Sequence, residues 1–255
     1  MKPLLRYVVV TCSFLFFSIF SYADSSAWNT ENQGKINQFL TPEVAVFDAD
    51  GTLWPGDIGE GFLKWLIANK KLKDVDYSQD IYGKYEEICE DDHAKCYAYA
   101  VQLMQGLAVK DIQTWAHDFF EKEIKPTIFP MQKVLIQDLE KRGVQVWIVS
   151  ASGQWLVDQA AETLGISPEH VIGIRTETNN GIITDKIIPP VTYRAGKVEA
   201  IQKYIKQRPV LAAGNAMTDY EMLMYAKELS IVINPQKEPL ITTAKLFGWF
   251  VEHWN

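Results

Sequence analysis

Short apolar runs alternate with amphipathic stretches along most of this chain. The runs at 44–47 and 144–149 are almost wholly apolar, as in strands that are buried on both faces. Similar runs follow at 171–174, 209–213 and 229–233. Between the runs, apolar residues recur at helical spacing at 131–142, 153–164, 195–206 and 219–227. Strands that alternate with helices predict an α/β fold with a parallel sheet and helices on both faces.

Two segments depart from this alternation. Asn179-Asn180-Gly181 separates two strand-like segments and is typical of a hairpin turn, so we expect a small antiparallel excursion there. Between 58 and 129 no strand-like run occurs, and apolar residues recur at helical spacing. We therefore predict a helical insert at 58–129 within a core made of 41–57 and 130–255.

The first 23 residues have the pattern of a secretory signal peptide. Lys2 and Arg6 precede an apolar stretch at 7–20, and Ser21-Tyr22-Ala23 predicts cleavage after Ala23. The apolar stretch is shorter than the roughly 20 residues of a membrane span, and an uncleaved anchor is the alternative. We expect a periplasmic or secreted protein without stable membrane association after cleavage.

The composition is that of a globular protein, and the net charge argues against a nucleic-acid partner. Of 255 residues 47% are hydrophobic and 22% charged, which is typical of a globular chain. The net charge is −7, and removal of residues 1–23 lowers it to −9 because they carry two basic residues and no acidic one. Affinity for nucleic acid comes mainly from basic residues, so a nucleic-acid partner is not expected.

After signal cleavage the remaining cysteines are Cys89 and Cys96. An even pair in an oxidising compartment favours a disulfide, and two buried free thiols are the alternative. Positions seven apart on a straight helix lie about 10 Å from each other, which is too far for a disulfide. A bridge therefore requires a break in the helix near 90–93, where an acidic cluster supplies helix caps.

Polar residues follow the predicted strands at the edge where ligands of parallel sheets bind. Asp48 and Asp50 end the first strand, and their mutual repulsion is relieved by a cation such as Mg²⁺. Asn215 and Asp219 follow the fourth strand and could complete the metal shell. The Ser150 hydroxyl, the backbone amides after it and the Lys197 ammonium then favour a bound phosphate.

These residues carry a family resemblance. Asp48-x-Asp50-Gly51-Thr52, Ser150, Lys197 and Gly214-Asn215-x-x-x-Asp219 resemble, in this order and spacing, the four motifs of the haloacid dehalogenase-like superfamily. The helical insert and 130–152 resemble the phosphoserine phosphatase-like branch with its helical cap. The resemblance implies a Rossmann-like core and an enzyme that hydrolyses phosphomonoesters.

The resemblance also implies a role for each residue. Asp48 is the expected nucleophile and forms an aspartyl-phosphate, while Asp50 is the expected acid and base for the leaving group and for water. Lys197 offsets the charge of Asp48. The expected phosphate-binding residues are Gly51, Thr52, Ser150, Ala151 and Lys197, and the expected Mg²⁺ ligands are Asp48, Asp50, Asn215 and Asp219.

The fourth motif departs from the family pattern, which usually begins Gly-Asp where this chain has Gly214-Asn215. Three interpretations follow. Asp219 becomes the direct metal ligand, or the site binds Mg²⁺ more weakly, or catalysis is lost and the protein only binds a ligand.

The segment after the first motif suggests what the leaving group is. Asp57 beside Trp54 suits a small cation such as serine, ethanolamine or choline, the last through cation–π contact with Trp54 or Trp155. The alternative is that Asp57 caps the following helix while Trp54 packs under the cap. We expect an exported Mg²⁺-dependent phosphomonoesterase of a small phosphorylated metabolite, with a phosphotransferase or a catalytically impaired binding protein as alternatives.

Overall fold

The computed structural model describes residues 30–38 and 43–254. Within them, seven strands form a single sheet. They are β1 (Val44–Phe47), β2 (Gln145–Gly153), β3 (Val171–Asn179), β4 (Ile182–Ile188), β5 (Leu211–Gly214), β6 (Leu229–Ile233) and β7 (Phe250–Glu252). The order is β4-β3-β2-β1-β5-β6-β7, and only β4 runs antiparallel to its neighbour. The predicted α/β class is confirmed, with β1 at the centre.

Helices flank this sheet and fill the segment between β1 and β2. The helices of that segment and the one before β1 are α1 (Thr30–Ile36), α2 (Ile58–Ala68), α3 (Ile81–Asp91), α4 (His93–Gln102) and α5 (Val109–Phe119). Those that follow are α6 (Pro130–Lys141), α7 (Gln154–Val157), α8 (Ala160–Leu164), α9 (Ala195–Ala200), α10 (Tyr220–Tyr225) and α11 (Glu238–Phe247). Single π-helical turns at Phe120–Ile124 and Ile201–Ile205 extend α5 and α9.

Several elements differ from their predicted bounds. β2 continues beyond Ser150 to Gly153, and the helix expected at 153–164 is divided into α7 and α8. Neither α11 nor β7 was predicted, because β7 has only three residues and α11 begins without an N-cap side chain. The left-handed Gly248 that ends α11 is the sequence signal that could have revealed both elements.

The two faces of the central strand pack into different cores. Ala45 and Phe47 join a large buried cluster, whereas Val44 and Val46 join a smaller one on the opposite face of the sheet. The large cluster continues without interruption into the α2–α5 helices through residues such as Phe62. These helices therefore share their core with one face of the sheet.

The helical break predicted between the cysteines is present. Asp92 ends α3 and caps α4, accepting a hydrogen bond from the Lys95 amide at 3.2 Å. The break brings the Cα atoms of Cys89 and Cys96 to 4.9 Å, and the two sulfurs form a disulfide. Of the two alternatives for these cysteines, a disulfide and two free thiols, the structure contains the disulfide.

The hairpin of β3 and β4 is antiparallel, as its turn predicted, and it contacts the helices between β1 and β2. Backbone hydrogen bonds connect Gly106 and Leu107 to Ile183, and Val109 to Gly181. The division into a core (41–57 and 130–255) and a cap (58–129) stays a prediction. The structure adds that backbone hydrogen bonds tie the two together at this hairpin.

The predicted signal peptide, residues 1–23, lies outside the described residues. Among the helices that the structure describes, none combines the length and the apolar character that a membrane span requires.

Candidate active site

Asp48, Lys197 and Asp219 form a buried charged cluster at the end of β1. The Lys197 Nζ atom lies 2.5 Å from Asp48 Oδ1 and 2.6 Å from Asp219 Oδ1. Burial disfavours a charged lysine, but the charges of Asp219 and Asp48 outweigh it and raise the pKa of Lys197. The ammonium therefore stays charged and draws two carboxylates from different loops together.

The pKa of the Asp48 carboxyl is raised but stays below neutral pH. Burial and the charge of Asp219 raise its pKa to about 6, although Lys197 opposes the shift. Its second oxygen, Oδ2, accepts a hydrogen bond from the Thr52 hydroxyl at 3.1 Å. At neutral pH most Asp48 carboxylates are thus ionised, as a nucleophile requires.

Asp50 is held by the segment that leads into α2. Its Oδ1 accepts hydrogen bonds from the Trp54 indole at 2.9 Å and the Ile58 amide at 2.7 Å, and its Oδ2 accepts one from the Ser152 hydroxyl at 2.6 Å. Burial, followed by the charges of Asp57 and Asp48, raises the pKa of Asp50 well above its usual range. A carboxyl with a raised pKa holds its proton more tightly than usual, which is suited to general acid catalysis.

The end of β2 places Ser152, rather than Ser150, on the wall of the cavity that Asp48 and Lys197 line. The pairing of β2 with β3 shifts register between Val149 and Gly153, which turns the intervening side chains. Ser150 is fully buried, its hydroxyl accepts a hydrogen bond from the Ser152 amide at 3.0 Å, and its carbonyl accepts one from the Thr192 hydroxyl. Ser150 therefore lies behind the cavity in this structure, and Ser152 is a site residue that sequence reasoning missed.

Asn215 packs directly against the first motif. A Cβ atom placed on Gly51 would lie 1.9 Å from Asn215 Nδ2, so only glycine leaves room for this amide. Gly51 also has φ +74, which glycine adopts readily. Asn215 Oδ1 is 3.4 Å from the Thr52 hydroxyl, which therefore lies between this amide oxygen and the Asp48 carboxylate.

Asp219 has both carboxylate oxygens engaged. Oδ1 bonds to Lys197, and Oδ2 accepts hydrogen bonds from the Asn215 and Ala216 amides at 3.0 and 3.1 Å. These contacts fix the lysine and the loop that carries Asn215. The fourth motif was expected to supply two metal ligands, Asn215 and Asp219. Of these, Asn215 is the one whose side-chain oxygen lies beside the oxygens of the first motif.

One cavity, hereafter the phosphate cavity, brings most of the predicted residues together. Its wall includes Asp48, Asp50, Ala151, Ser152, Lys197 and Asn215. Gly51 and Thr52 are not part of this wall, and Thr52 is fully buried. His93 also lines the cavity and stacks on Tyr193 with ring centroids 6.0 Å apart.

The oxygen donors of this cavity fit a hard divalent cation. Its wall carries three carboxyl groups, those of Asp48, Asp50 and Asp57, and two lysines, Lys197 and Lys237. Carboxylate oxygens are ligands that Mg²⁺ takes in proteins. The described residues contain no group of three or more His, Cys, Asp or Glu side chains that could hold a metal by themselves.

Asp57 and Trp54 have different environments. Asp57 caps α2 by accepting a hydrogen bond from the Glu60 amide at 2.8 Å, and it also lines the phosphate cavity. Trp54 is fully buried, and its ring lies edge-on to Phe120 with centroids 6.1 Å apart. The expected contact between the Trp54 ring and a substrate cation is therefore not supported. The alternative, in which Trp54 packs beneath the helices, is what the structure shows.

Comparison with known proteins gives a consistent family. A family model described as haloacid dehalogenase-like hydrolase matches residues 45–224. Phosphorylcholine phosphatase of Pseudomonas aeruginosa is 24% identical and the match covers 67% of each chain, and histidinol-phosphatase of Neisseria meningitidis is 24% identical over 81% of this chain and 96% of its own.

Solved structures share the fold. A protein of unknown function from Bordetella pertussis superimposes with a TM-score of 0.73 at 19% identity, covering 84% of this chain and 99% of that one. A substrate-bound phosphoserine phosphatase gives a TM-score of 0.56 at 17% identity, covering 84% and 94%.

Proposed function

Because this chain belongs to the haloacid dehalogenase-like hydrolase family, we propose that it is an exported, Mg²⁺-dependent phosphomonoesterase of a small phosphorylated metabolite. The observation that carries the proposal is the buried contact of 2.5 Å between Asp48 and Lys197 at the end of β1, with Asp50 two residues further along the chain. Two relatives named phosphorylcholine phosphatase and histidinol-phosphatase support a phosphomonoester with an amine-bearing leaving group.

Asp48 supplies the nucleophile. One of its oxygens attacks phosphorus and forms an aspartyl-phosphate, while the bond from phosphorus to the leaving oxygen breaks. Lys197 fixes the carboxylate through Oδ1 and keeps a positive charge beside the phosphoryl oxygens. Because Lys197 is itself held by Asp219, the ammonium cannot turn away from the reacting carboxylate.

Asp50 moves the protons. Its raised pKa keeps a proton available for the leaving alkoxide, and the resulting carboxylate then accepts a proton from the water that attacks the aspartyl-phosphate. Hydrogen bonds to the Ile58 amide and the Ser152 hydroxyl connect Asp50 to the start of α2 and the end of β2. A shift of α2 therefore moves the acid relative to Asp48.

Asp48, the backbone carbonyl of Asp50 and Asn215 would hold Mg²⁺, with Asp219 acting through the loop that carries Asn215. Mg²⁺ bound there would neutralise part of the negative charge on the phosphoryl group and on Asp48. Since Asn215 is neutral where the family pattern has an acid, we expect the site to bind Mg²⁺ more weakly than a site with an aspartate there.

The decisive experiment is release of inorganic phosphate by the purified protein from phenyl phosphate and phosphocholine, with Mg²⁺ or with a chelator. Asp48→Asn is expected to lower phosphate release more than about a thousandfold, because the amide is not a nucleophile. Asp158→Asn, which changes a half-buried carboxyl that does not line the phosphate cavity, is the matched control. Activity that survives Asp48→Asn or the chelator contradicts the proposal.

Asn215→Asp tests the departure from the family pattern. We expect a lower Mg²⁺ concentration for half-maximal activity, because the variant restores a negative charge without a change of shape. A wild-type protein without phosphate release, which Asn215→Asp renders active, would instead support the alternative of a catalytically impaired binding protein.

Export is tested by cell fractionation and N-terminal sequencing. We expect the protein outside the cytoplasm with a mature chain that begins at Asp24. A full-length chain in the cytoplasmic fraction contradicts this part of the proposal.

A further inference from the structure

A second cavity, hereafter the leaving-group cavity, adjoins the phosphate cavity. Its wall includes Asp57, Glu60, Tyr85, Tyr97, Met104 and Leu156. The two cavities share Asp57, Tyr97, Ala151 and Ser152, so a molecule whose phosphate lies near Asp48 can extend its other end into this space.

The charge of this cavity is negative and concentrated on one residue. Glu60 is paired with Lys64 at 2.5 Å and accepts a hydrogen bond from the Tyr82 hydroxyl at 2.6 Å. Asp57 forms no salt bridge with any residue that the structure describes, and burial raises its pKa. The wall contains no lysine, arginine or histidine. A cation that entered would therefore meet an unpaired carboxylate, whereas an anion would meet no positive charge.

The remaining wall is aromatic and apolar. Tyr85 comes from α3 and Tyr97 from α4, and both line the cavity together with Val101, Met104 and Leu156. Aromatic faces attract cations, most strongly where water is excluded, and apolar side chains suit N-methyl or methylene groups. The aromatic residues that face this space are thus tyrosines of α3 and α4, and Trp54 is not among them.

We propose that the leaving-group cavity selects phosphomonoesters whose leaving group carries an alkylammonium and no carboxylate, and that Asp57, Tyr85 and Tyr97 determine this specificity. The inference rests on the proposed phosphatase function and narrows its substrate class. Choline and ethanolamine share the required chemistry. Serine does not, because its carboxylate would be buried beside Asp57 without a partner, which is costly in a site that excludes water.

The cavity is narrow in this conformation, with room for little more than one or two water molecules. An alkylammonium group of several heavy atoms needs more space than this, so we expect α3 and α4 to shift relative to α2 when it enters. Since Tyr85 and Tyr97 lie on these two helices, the residues that recognise the cation also move when the substrate enters.

The test compares matched pairs of substrates. Phosphocholine is paired with its uncharged carbon isostere, 3,3-dimethylbutyl phosphate, and phosphoethanolamine is paired with phosphoserine. We expect kcat/KM to be about tenfold or more higher for the first member of each pair, the size of a desolvated cation–π contact with a charge partner. Equal values for phosphocholine and its isostere, or a preference for phosphoserine, overturn the proposal.

Variants assign the selectivity to residues. Asp57→Asn keeps an N-cap for α2 but removes the charge, and Tyr97→Leu removes the ring, so each is expected to reduce the preference for phosphocholine over its isostere. Tyr97→Phe keeps the ring and should keep most of the preference. Tyr99→Leu on the same helix is the matched control, because Tyr99 lines a separate surface depression with Lys73 and Asp185. A ratio that Tyr97→Leu leaves unchanged contradicts the assigned role.

Binding separates this inference from the proposed function. In the Asp48→Asn background the affinity for phosphocholine and for its isostere is measured by calorimetry, without turnover. If phenyl phosphate is hydrolysed and both ligands bind equally, the phosphatase function stands and the specificity is wrong. If no ester is hydrolysed but phosphocholine binds at least about tenfold more tightly than its isostere, the cavity is correctly assigned and the phosphatase function is wrong.

Discussion

At the scale of single residues, the site depends on close contacts that tolerate little change. Gly51 has φ +74 and its Cα faces the Asn215 amide, whereas Gly56, five residues later, has φ +82 with no atom within 4 Å of a Cβ placed there. The two glycines therefore share a backbone conformation but differ in whether a side chain fits. They form a matched pair that separates backbone strain from a steric clash.

Gly51→Ala is expected to displace Asn215 and to lower both the activity and the apparent Mg²⁺ affinity. Backbone strain alone costs on the order of 1–3 kcal/mol, and Gly56→Ala should show this cost without the change in Mg²⁺ dependence. Thermal unfolding and Mg²⁺ titration of activity measure the two effects. Identical Mg²⁺ dependence in both variants would mean that Asn215 does not contribute to the metal site.

The carboxyl group of Asp158 makes the stability of the fold depend on pH. Burial raises its pKa to about 6, although the Gln154 amide, which donates to it at 2.5 Å, and Arg175 oppose the shift. The folded state therefore binds the Asp158 proton more tightly than the unfolded state. Its contribution to stability is present at low pH and is lost as the pH rises from about 4 to about 6.

Asp158→Asn removes this titration and should stabilise the protein above pH 6 by on the order of 1–2 kcal/mol, an amount reduced for partial exposure to solvent. Below about pH 4 the variant and the wild type should be equally stable, because the carboxyl is then protonated in both states. Urea unfolding at pH 4 and pH 7.5 measures the difference. A larger gain at the lower pH would contradict the assigned shift.

At the scale of elements, the disulfide and the hairpin position the helices that face the site. Cys89 lies one turn after Tyr85 on α3, and Cys96 directly precedes Tyr97 on α4. The bridge therefore joins the two helices next to the tyrosines of the leaving-group cavity. The hairpin of β3 and β4 holds the loop between α4 and α5 through backbone hydrogen bonds.

Removal of the bridge in Cys89→Ser/Cys96→Ser is expected to lower the free energy of unfolding by about 2 kcal/mol, the value for a short closed loop in the chain-entropy model. Scanning calorimetry of the variant, and of the wild type with and without reductant, measures the effect. Reductant should not change the melting temperature of the double variant. A variant as stable as the oxidised wild type would mean that the helical corner at Asp92 holds without the bridge.

At the scale of the whole molecule, one buried cluster runs from the sheet into the α2–α5 helices. Phe47 on β1, Phe62 on α2 and Ile112 on α5 all belong to it. Elements that share a core lose their packing together, because neither buries its apolar face alone. We therefore expect the sheet and the helices of the predicted cap to unfold as one cooperative unit.

Urea unfolding followed by far-ultraviolet circular dichroism and by tryptophan fluorescence tests this expectation. Trp65 and Trp115 report on the helices, and Trp147 lies on β2. Replacing Trp65 and Trp115 by Phe removes these two helical reporters, and the fluorescence transition that remains should still coincide with the transition seen by circular dichroism. Separate midpoints would show that the predicted cap unfolds independently of the sheet.

The amino-acid sequence by itself determined the fold class and the residues at the strand ends. The period of apolar residues reports which faces are buried, and parallel strands end at one edge, so Asp48, Asp50, Lys197 and Asn215 were expected together and do line one cavity. The hairpin turn and the helical break between the cysteines were equally local features. Each depends on residues that are neighbours in the chain.

Only the tertiary structure decided which side chains face the substrate. Whether Ser150 or Ser152 reaches the cavity depends on the register shift between β2 and β3, and the burial of Trp54 depends on Phe120, which lies 66 positions away. Tyr85 and Tyr97 meet Asp57 only because α3 packs on α2 and α4 packs on both α2 and β2. Side-chain direction in such places follows from packing between distant segments, and no local period in the sequence records it.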